Sequence, residues 1–242
     1  MDILLAMMRE ILMESKLDDE KRLKEILAML KSRMQMSFQS SGHTTAALRA
    51  LSYDSPLAKF KDDTDGIGFY QAVKDIEENF EEKKAELIAN LKAIVKEIFR
   101  ADNMMISYTS AEEGLESISA GISKIKSGLH EEPKSEETPC IIHCDKKNEG
   151  FKTSSKVQYV ARVGNFIDHG ADYNGALQIL KVILSYDYLW QNVRVKGGAY
   201  GCMSSFNRIG EGYFISYRDP NLRKTMETYK AVSYTHLTLP TT

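Results

Sequence analysis

Apolar residues recur at helical spacing through most of the first half of the chain. Residues 1–15 and 23–34 each place apolar side chains three or four positions apart, and the clearest stripe runs over residues 87–99, with Lys and Glu on its other face. Residues 115–125 continue this spacing, and residues 103–109 read as a short strand before them. The pattern predicts a helix-rich first half.

The second half changes to a mixed pattern. Residues 157–163 alternate apolar and polar side chains, which is typical of a half-buried strand. Residues 177–193 are apolar nearly all round, which predicts a deeply packed helix. Strands follow over 199–206 and 213–218, and a final helix begins at Pro220. The chain is therefore predicted to be α+β, a helix-rich part followed by an antiparallel sheet with packed helices.

A polar segment separates the two halves. Residues 130–139 read His-Glu-Glu-Pro-Lys-Ser-Glu-Glu-Thr-Pro, the composition of an interdomain linker. We predict a first domain part over 1–131, a linker over 132–139 and a second domain over 140–232. Residues 233–242 lose the helical periodicity and resemble translated sequencing-adapter read-through, so we expect a non-native tail there, with a frayed natural terminus as the alternative.

Composition excludes several classes of function. Hydrophobic residues at 43% and charged residues at 27% are ordinary for a globular protein, and the net charge of −2 gives no basic field, so we expect no nucleic-acid partner. No run of about 18 apolar residues is present, and acidic residues interrupt the start, so we expect no membrane partner and no signal peptide. Three cysteines fit a reducing compartment.

The stretch from Arg194 to Gly201 carries the most suggestive chemistry. Arg194 and Tyr200 flank Gly197 and Gly198 at a predicted helix-to-strand corner, so a guanidinium and a phenol can be aimed at one point. A guanidinium binds carbonyl or carboxylate oxygens, and a phenol donates to a developing oxyanion. On spacing alone the simpler interpretation is favoured, in which Arg194 pairs with the helix dipole and Tyr200 is an ordinary strand aromatic.

The order of these residues resembles a known family. Arg194 to Gly201, Gly212-Tyr213-Phe214 and Ser216 to Leu222 are similar to the C-terminal half of the pitrilysin/insulinase zinc metallopeptidases, in their presequence-protease-like branch. Gly42-His43 and the residues that follow resemble the third domain of that branch. The resemblance implies that residues 1–131 are the later part of that third, peptidase-associated domain. It also implies that residues 140–232 are a truncated C-terminal pitrilysin-type domain.

The zinc motif of such enzymes is absent from this sequence. The family needs an inverted His-x-x-Glu-His on one helix. None of the five histidines is followed three and four residues later by Glu-His: His43, His130, His143, His169 and His236. Cys140, His143 and Cys144 lie near one another, but no second ligand pair accompanies them, so we interpret the cluster as chance. His43 is interpreted as a structural or capping residue.

The resemblance implies a fragment of a zinc-dependent endopeptidase that degrades unstructured peptides. Tyr200 and Arg194 would be catalytic, and Arg194, Gly197, Gly198 and Tyr200 would bind substrate. Zinc would be bound in the full-length enzyme by a missing N-terminal half and not by this chain, which we expect to be inactive alone. The alternative is a non-catalytic peptide- or partner-binding subunit of a two-chain peptidase. We expect a bacterial cytoplasm, with an organelle as the other option.

Overall fold

A computed structural model describes residues 2–107, 109, 115–131 and 139–235. The chain divides into two compact units, the first comprising Met1–Met29 and Asp75–Cys140 and the second Leu30–Lys74 and Ile141–Thr242. Each unit therefore joins an early segment of the chain to a later one. The predicted linker falls mostly outside the described residues, and its boundaries stay a prediction.

The element order is helical first and mixed afterwards, which confirms the α+β prediction. Within the described residues, no helix combines the length and the apolar character needed to cross a bilayer. The helices are α1 (Asp2–Glu14), α2 (Glu20–Ser40), α3 (Gly42–Leu51), α4 (Pro56–Asp65), α5 (Ile67–Glu78), α6 (Phe80–Ile98), α7 (Leu115–Lys126), α8 (Ala176–Ile183), a π-helix (Leu184–Val195) and α9 (Arg223–Thr235). The strands are β1 (Ala161–Asn165), β2 (Gly201–Phe206) and β3 (Glu211–Tyr217).

Two strand predictions need correction. The pattern predicts a strand over residues 103–109, but Ala101–Asn103 is a 3₁₀ turn and residues 104–107 have no regular structure. A strand needs a partner, and among the described residues none pairs with this segment. The strand predicted over 157–163 is displaced toward the C-terminus, since β1 starts at Ala161 and only an isolated bridge joins Gln158 to Asp219 before it.

In the first unit, α6 is tied to the turn between α1 and α2. Lys84 pairs with Glu20 at 2.7 Å and Lys92 pairs with Asp18 at 3.0 Å, so the charged face predicted for this helix carries ion pairs. α1 packs against α7, and most of its predicted apolar stripe is nevertheless exposed, Ile3 by 79%.

The second unit is built on a three-stranded antiparallel sheet in the order β1-β3-β2. Cys202 lies opposite Ser216 in the register, and their face of the sheet packs on the π-helix and α9 through a core that includes Leu189 and Tyr229. Tyr217 lies opposite Gly201 on the other face, where α3 packs against β1 and β3. Helices therefore cover the sheet from both sides.

The long apolar helix predicted over 177–193 is in fact α8 followed by the π-helix. Leu184, Leu189 and Val193 are the buried positions, spaced by five and then four residues, as the wider i→i+5 turn requires. The prediction of deep burial all round was wrong for α8, where Ile179 and Val182 are more than half exposed. One stripe is enough to contact the sheet, so the other apolar residues stay outside.

The Gly-Gly corner predicted from the sequence is present. Gly198 donates its amide to Arg194 O at 2.8 Å and has a φ of +82°, a left-handed conformation that glycine adopts without strain. A Cβ on Gly197 would clash with the carbonyl oxygen of Val193, so a side chain cannot fit there. The two glycines therefore let the chain leave the π-helix and enter β2 within a few residues.

A buried carboxylate fixes the other end of the hairpin. Asp219 is fully buried, and its side chain accepts hydrogen bonds from Thr225 Oγ1 at 2.7 Å and from the amide of Asn221 at 2.8 Å. Its backbone pairs with Gln158 in both directions at 2.8 Å. Asn221 Nδ2 donates to Gly197 O at 2.5 Å. Asp219 thereby links the end of β3, the start of α9 and the glycine corner.

We predict that Gly197→Ala will destabilise the second unit by about 1–3 kcal/mol, because the new methyl group meets backbone that cannot move away. Gly201→Ala is the matched control, since its Cβ would lie in ordinary contact 3.8 Å from the nearest side-chain atom, of Tyr217. Urea unfolding followed by circular dichroism measures both variants. Equal midpoints for the two variants would contradict the steric account of the corner.

Candidate functional site

Arg194 lies at the end of the π-helix and reaches across the glycine corner. Its guanidinium stacks on the ring of Trp190, with the central carbon 3.9 Å from the ring centroid. Its Nε donates a hydrogen bond to the backbone carbonyl of Tyr200 at 2.9 Å. Its terminal amino groups make no hydrogen bond to any residue that the structure describes. One part of the guanidinium is thus used to hold Tyr200, while the rest is available to a ligand.

Tyr200 is held by its backbone and presents its side chain to solvent. Its amide donates to Tyr217 O at 3.0 Å, which places it beside the end of β3. Its ring packs edge-on against Tyr217, with centroids 5.8 Å apart and planes at 72°. The residue is 67% exposed, so its hydroxyl is accessible. The structure therefore joins Arg194 and Tyr200 at one corner, as the sequence motif suggested.

Both residues line one open pocket of about 370 Å³. The lining consists of Arg194, Val195, Gly198, Ala199, Tyr200 and Arg218. No carboxylate is among these residues, so the pocket offers two guanidinium groups and a phenol to a carbonyl, a carboxylate or an oxyanion.

Arg218 was not selected as a site residue from the sequence, although it lies within the motif. It follows β3 with a φ of +48°, an uncommon conformation for a residue with a side chain. Its guanidinium lies over the ring of Tyr217, 5.4 Å from the centroid. Nothing in the local pattern signals a left-handed arginine, because this conformation follows from the burial of Asp219 next to it.

The two glycines differ in their relation to the pocket. Gly198 lines it, whereas the lining does not include Gly197, whose carbonyl accepts the hydrogen bond from Asn221. A substrate-binding role for both glycines stays a prediction, and their contribution to the corner is what the geometry displays.

The buried groups behind the pocket are not reactive. Burial raises the pKa of the Cys202 thiol to about 11, with a smaller lowering by Arg194 and a further raising by Asp219. The thiol is therefore neutral at physiological pH and is a poor nucleophile. Burial also raises the pKa of Tyr229, on the same side of the sheet. The accessible chemistry consists of the hydrogen-bond donors that line the pocket.

No group of three or more His, Cys, Asp or Glu side chains suited to a metal ion occurs in the described parts of the chain. Cys144 is half-buried, and burial raises the pKa of its thiol, which makes the thiolate form less available. His43 is not the N-cap of α3, a position that Ser41 occupies. Its ring instead packs edge-on against Tyr217, with centroids 4.8 Å apart.

Comparison with known proteins agrees with the motif. The family model for the PreP C-terminal domain matches residues 148–238, and a model for a peptidase-associated domain of the same family matches residues 1–76. Protein HypA of Clostridium perfringens is 39% identical over 91% of this chain and 22% of its own length. Presequence protease 1, chloroplastic/mitochondrial, of Arabidopsis thaliana is 26% identical over 94% of this chain and 21% of its own.

Presequence protease, mitochondrial, of Drosophila melanogaster is 27% identical over 93% of this chain and 22% of its own length. The chain thus spans about a fifth of the length of the curated relatives that it matches. Two family models in the order expected for one protein, together with relatives aligned over nearly the whole chain, identify the family. The chain belongs to the presequence-protease-like members of the pitrilysin family.

Proposed function

We propose that this chain supplies the substrate-binding and oxyanion-stabilising part of a zinc-dependent endopeptidase that acts on unstructured peptides. The observation that carries the proposal is the single pocket at which Arg194 and Tyr200 meet, with the Nε of the arginine bonded to the backbone of the tyrosine. The names of the relatives supply the reaction class, since several are presequence proteases.

Tyr200 is the proposed catalytic donor. Attack on a peptide carbonyl converts its oxygen to an oxyanion, and a donor already fixed in place stabilises that charge in the transition state. The exposed phenol of Tyr200 on a backbone held by Tyr217 meets this requirement. The hydroxyl bonds more strongly to the oxyanion than to the ground-state carbonyl, so its contribution falls mainly on kcat.

Arg194 has two proposed tasks. Its Nε fixes the position of Tyr200, and its terminal amino groups donate to carbonyl oxygens of the peptide backbone. Gly198 contributes an unhindered wall to the same pocket, and Gly197 permits the corner. Contacts of this kind recognise the backbone of an extended peptide, which is accessible only when the peptide is unstructured.

Zinc is assigned to another part of the full-length protein. The described residues of this chain contain no donor set that fits it, and the sequence lacks the inverted His-x-x-Glu-His motif. Zinc would polarise the scissile carbonyl and activate water in its own half. We propose that this half is the partner of the present chain. We further propose a bacterial cytoplasm or an organelle as the location, since the relatives include a clostridial protein and mitochondrial proteases.

Tyr200→Phe in the full-length protein should lower kcat about 10²–10³-fold and change KM little, because only the transition state loses a hydrogen bond. Steady-state cleavage of an unstructured fluorogenic peptide measures both constants. Tyr186→Phe is the matched control, since Tyr186 is also exposed by 67% but does not line the pocket. Near-normal turnover of the Tyr200 variant would remove this residue from the mechanism.

Arg194→Lys should lower kcat/KM by about 10- to 100-fold despite the retained charge, because an ammonium group cannot replace the Nε bond to Tyr200 while also binding substrate. Lys196→Ala controls for loss of a cation at this helix end, since Lys196 is exposed and contacts Asn192 at 3.5 Å. The same peptide assay applies. An equal loss in both variants would show that only general charge matters.

The isolated chain should bind no zinc and cleave no peptide, because the metal ligands are assigned elsewhere. Metal analysis after dialysis and a peptide-cleavage assay measure the two properties. Stoichiometric zinc would refute the assignment. Turnover that returns when a separate zinc-bearing chain is added would instead favour the two-chain alternative, in which this chain is the non-catalytic subunit.

A further inference from the structure

A set of four aromatic rings connects α3 to the proposed catalytic tyrosine. Tyr217 lies at its centre, and we call Tyr217, His43, Tyr159 and Tyr200 the Tyr217 cluster. The ring of Tyr217 has centroid distances of 4.8 Å to His43, 5.7 Å to Tyr159 and 5.8 Å to Tyr200. All four residues belong to the second compact unit.

Tyr200 has few other means of fixing its ring. The residue is mostly exposed, and its amide bond to Tyr217 O positions the backbone but leaves the side-chain torsions free. The edge-on contact with Tyr217 is the one ring contact of Tyr200 among the described residues. The direction in which the phenol points therefore depends on where the ring of Tyr217 lies.

Tyr217 is in turn held from the α3 side. His43 meets its ring edge-on, with planes at 71°, the arrangement that aromatic rings prefer. The start of α3 is anchored independently, because Tyr159 donates its hydroxyl to Gln39 O at 2.7 Å and its ring lies so close to Gly42 that a Cβ there would clash with it. His43 therefore presses on Tyr217 from a fixed base.

The environment of His43 favours a role for its ring shape. Its Nδ1 is buried and has no hydrogen-bond partner among the described residues, and burial lowers the pKa of the imidazole. A neutral ring with an unpaired buried nitrogen contributes no hydrogen bond or charge here. What it does contribute is the edge contact with Tyr217.

We propose that His43 is a positioning residue that acts through Tyr217 to hold the phenol of Tyr200 in its productive direction. The inference rests on the proposed function of Tyr200. It assigns to a helix outside the C-terminal domain match, within residues 1–76, a direct part in the geometry of the pocket.

The test uses variants of the full-length protein in the peptide assay. His43→Ala should lower kcat about 10- to 100-fold with KM within about twofold, since a misdirected donor fails mainly in the transition state. His43→Phe keeps an aromatic edge against Tyr217 and should retain most of the turnover. Phe38→Ala is the matched control, because it removes another edge-on pair of the same unit, with Tyr70 at 5.3 Å, away from the Tyr217 cluster.

A double variant separates positioning from general damage. In the Tyr200→Phe background, His43→Ala should cause no further loss of kcat, because there is no hydroxyl left to direct. Fluorotyrosine incorporated at position 200 adds a readout that needs no activity. Its ¹⁹F resonance should shift or broaden in His43→Ala and stay unchanged in Phe38→Ala.

Each outcome bears on one proposal or on both. Additive losses in the double variant, an unchanged ¹⁹F resonance in His43→Ala, or equal losses in folded His43→Phe and His43→Ala would overturn the positioning role and leave the function of Tyr200 standing. Full turnover of Tyr200→Phe itself would overturn both. A loss confined to His43→Ala and absent from the Tyr200→Phe background would establish the positioning role.

Discussion

The geometry of the pocket depends on the burial of the Asp219 carboxylate. A carboxylate without solvent is tolerated only when its oxygens are hydrogen-bonded, and here Thr225 and the amide of Asn221 meet that need. Because Asn221 also bonds to Gly197, the carboxylate fixes the start of α9 and the glycine corner together. The neighbouring Arg218 is left with a positive φ, in a conformation that the surrounding bonds must maintain.

The sheet makes this arrangement rigid because both of its faces are covered. The π-helix and α9 bury one face, and α3 packs on the other. Tyr217 lies on the α3 side at the end of β3, with Tyr200 beside it at the start of β2. A helix from the early part of the chain therefore contributes to the surroundings of residues in the late part. Packing of this kind makes the two family matches interdependent.

The pocket contains only part of what peptide hydrolysis requires. It offers guanidinium and phenol donors, which bind oxygen atoms and stabilise negative charge, while the thiol closest to it is buried and neutral. These donors cannot activate water at neutral pH. Under the proposed function, the nucleophile and the donors lie on separate parts of a longer protein, and catalysis requires both parts to meet around the substrate.

The sequence by itself determined the local features. Periodicity indicated the helices because one stripe must be buried, alternation indicated the hairpin, and Gly197 and Gly198 marked the corner because other residues do not fit there. The motif from Arg194 to Leu222 identified the family. Tertiary structure alone decided the π-helical spacing of Leu184, Leu189 and Val193, the conformation of Arg218 and the contact of α3 with the sheet. Tyr159 and Gln39 are bonded across 120 positions, and local patterns carry no record of which distant surfaces will pair.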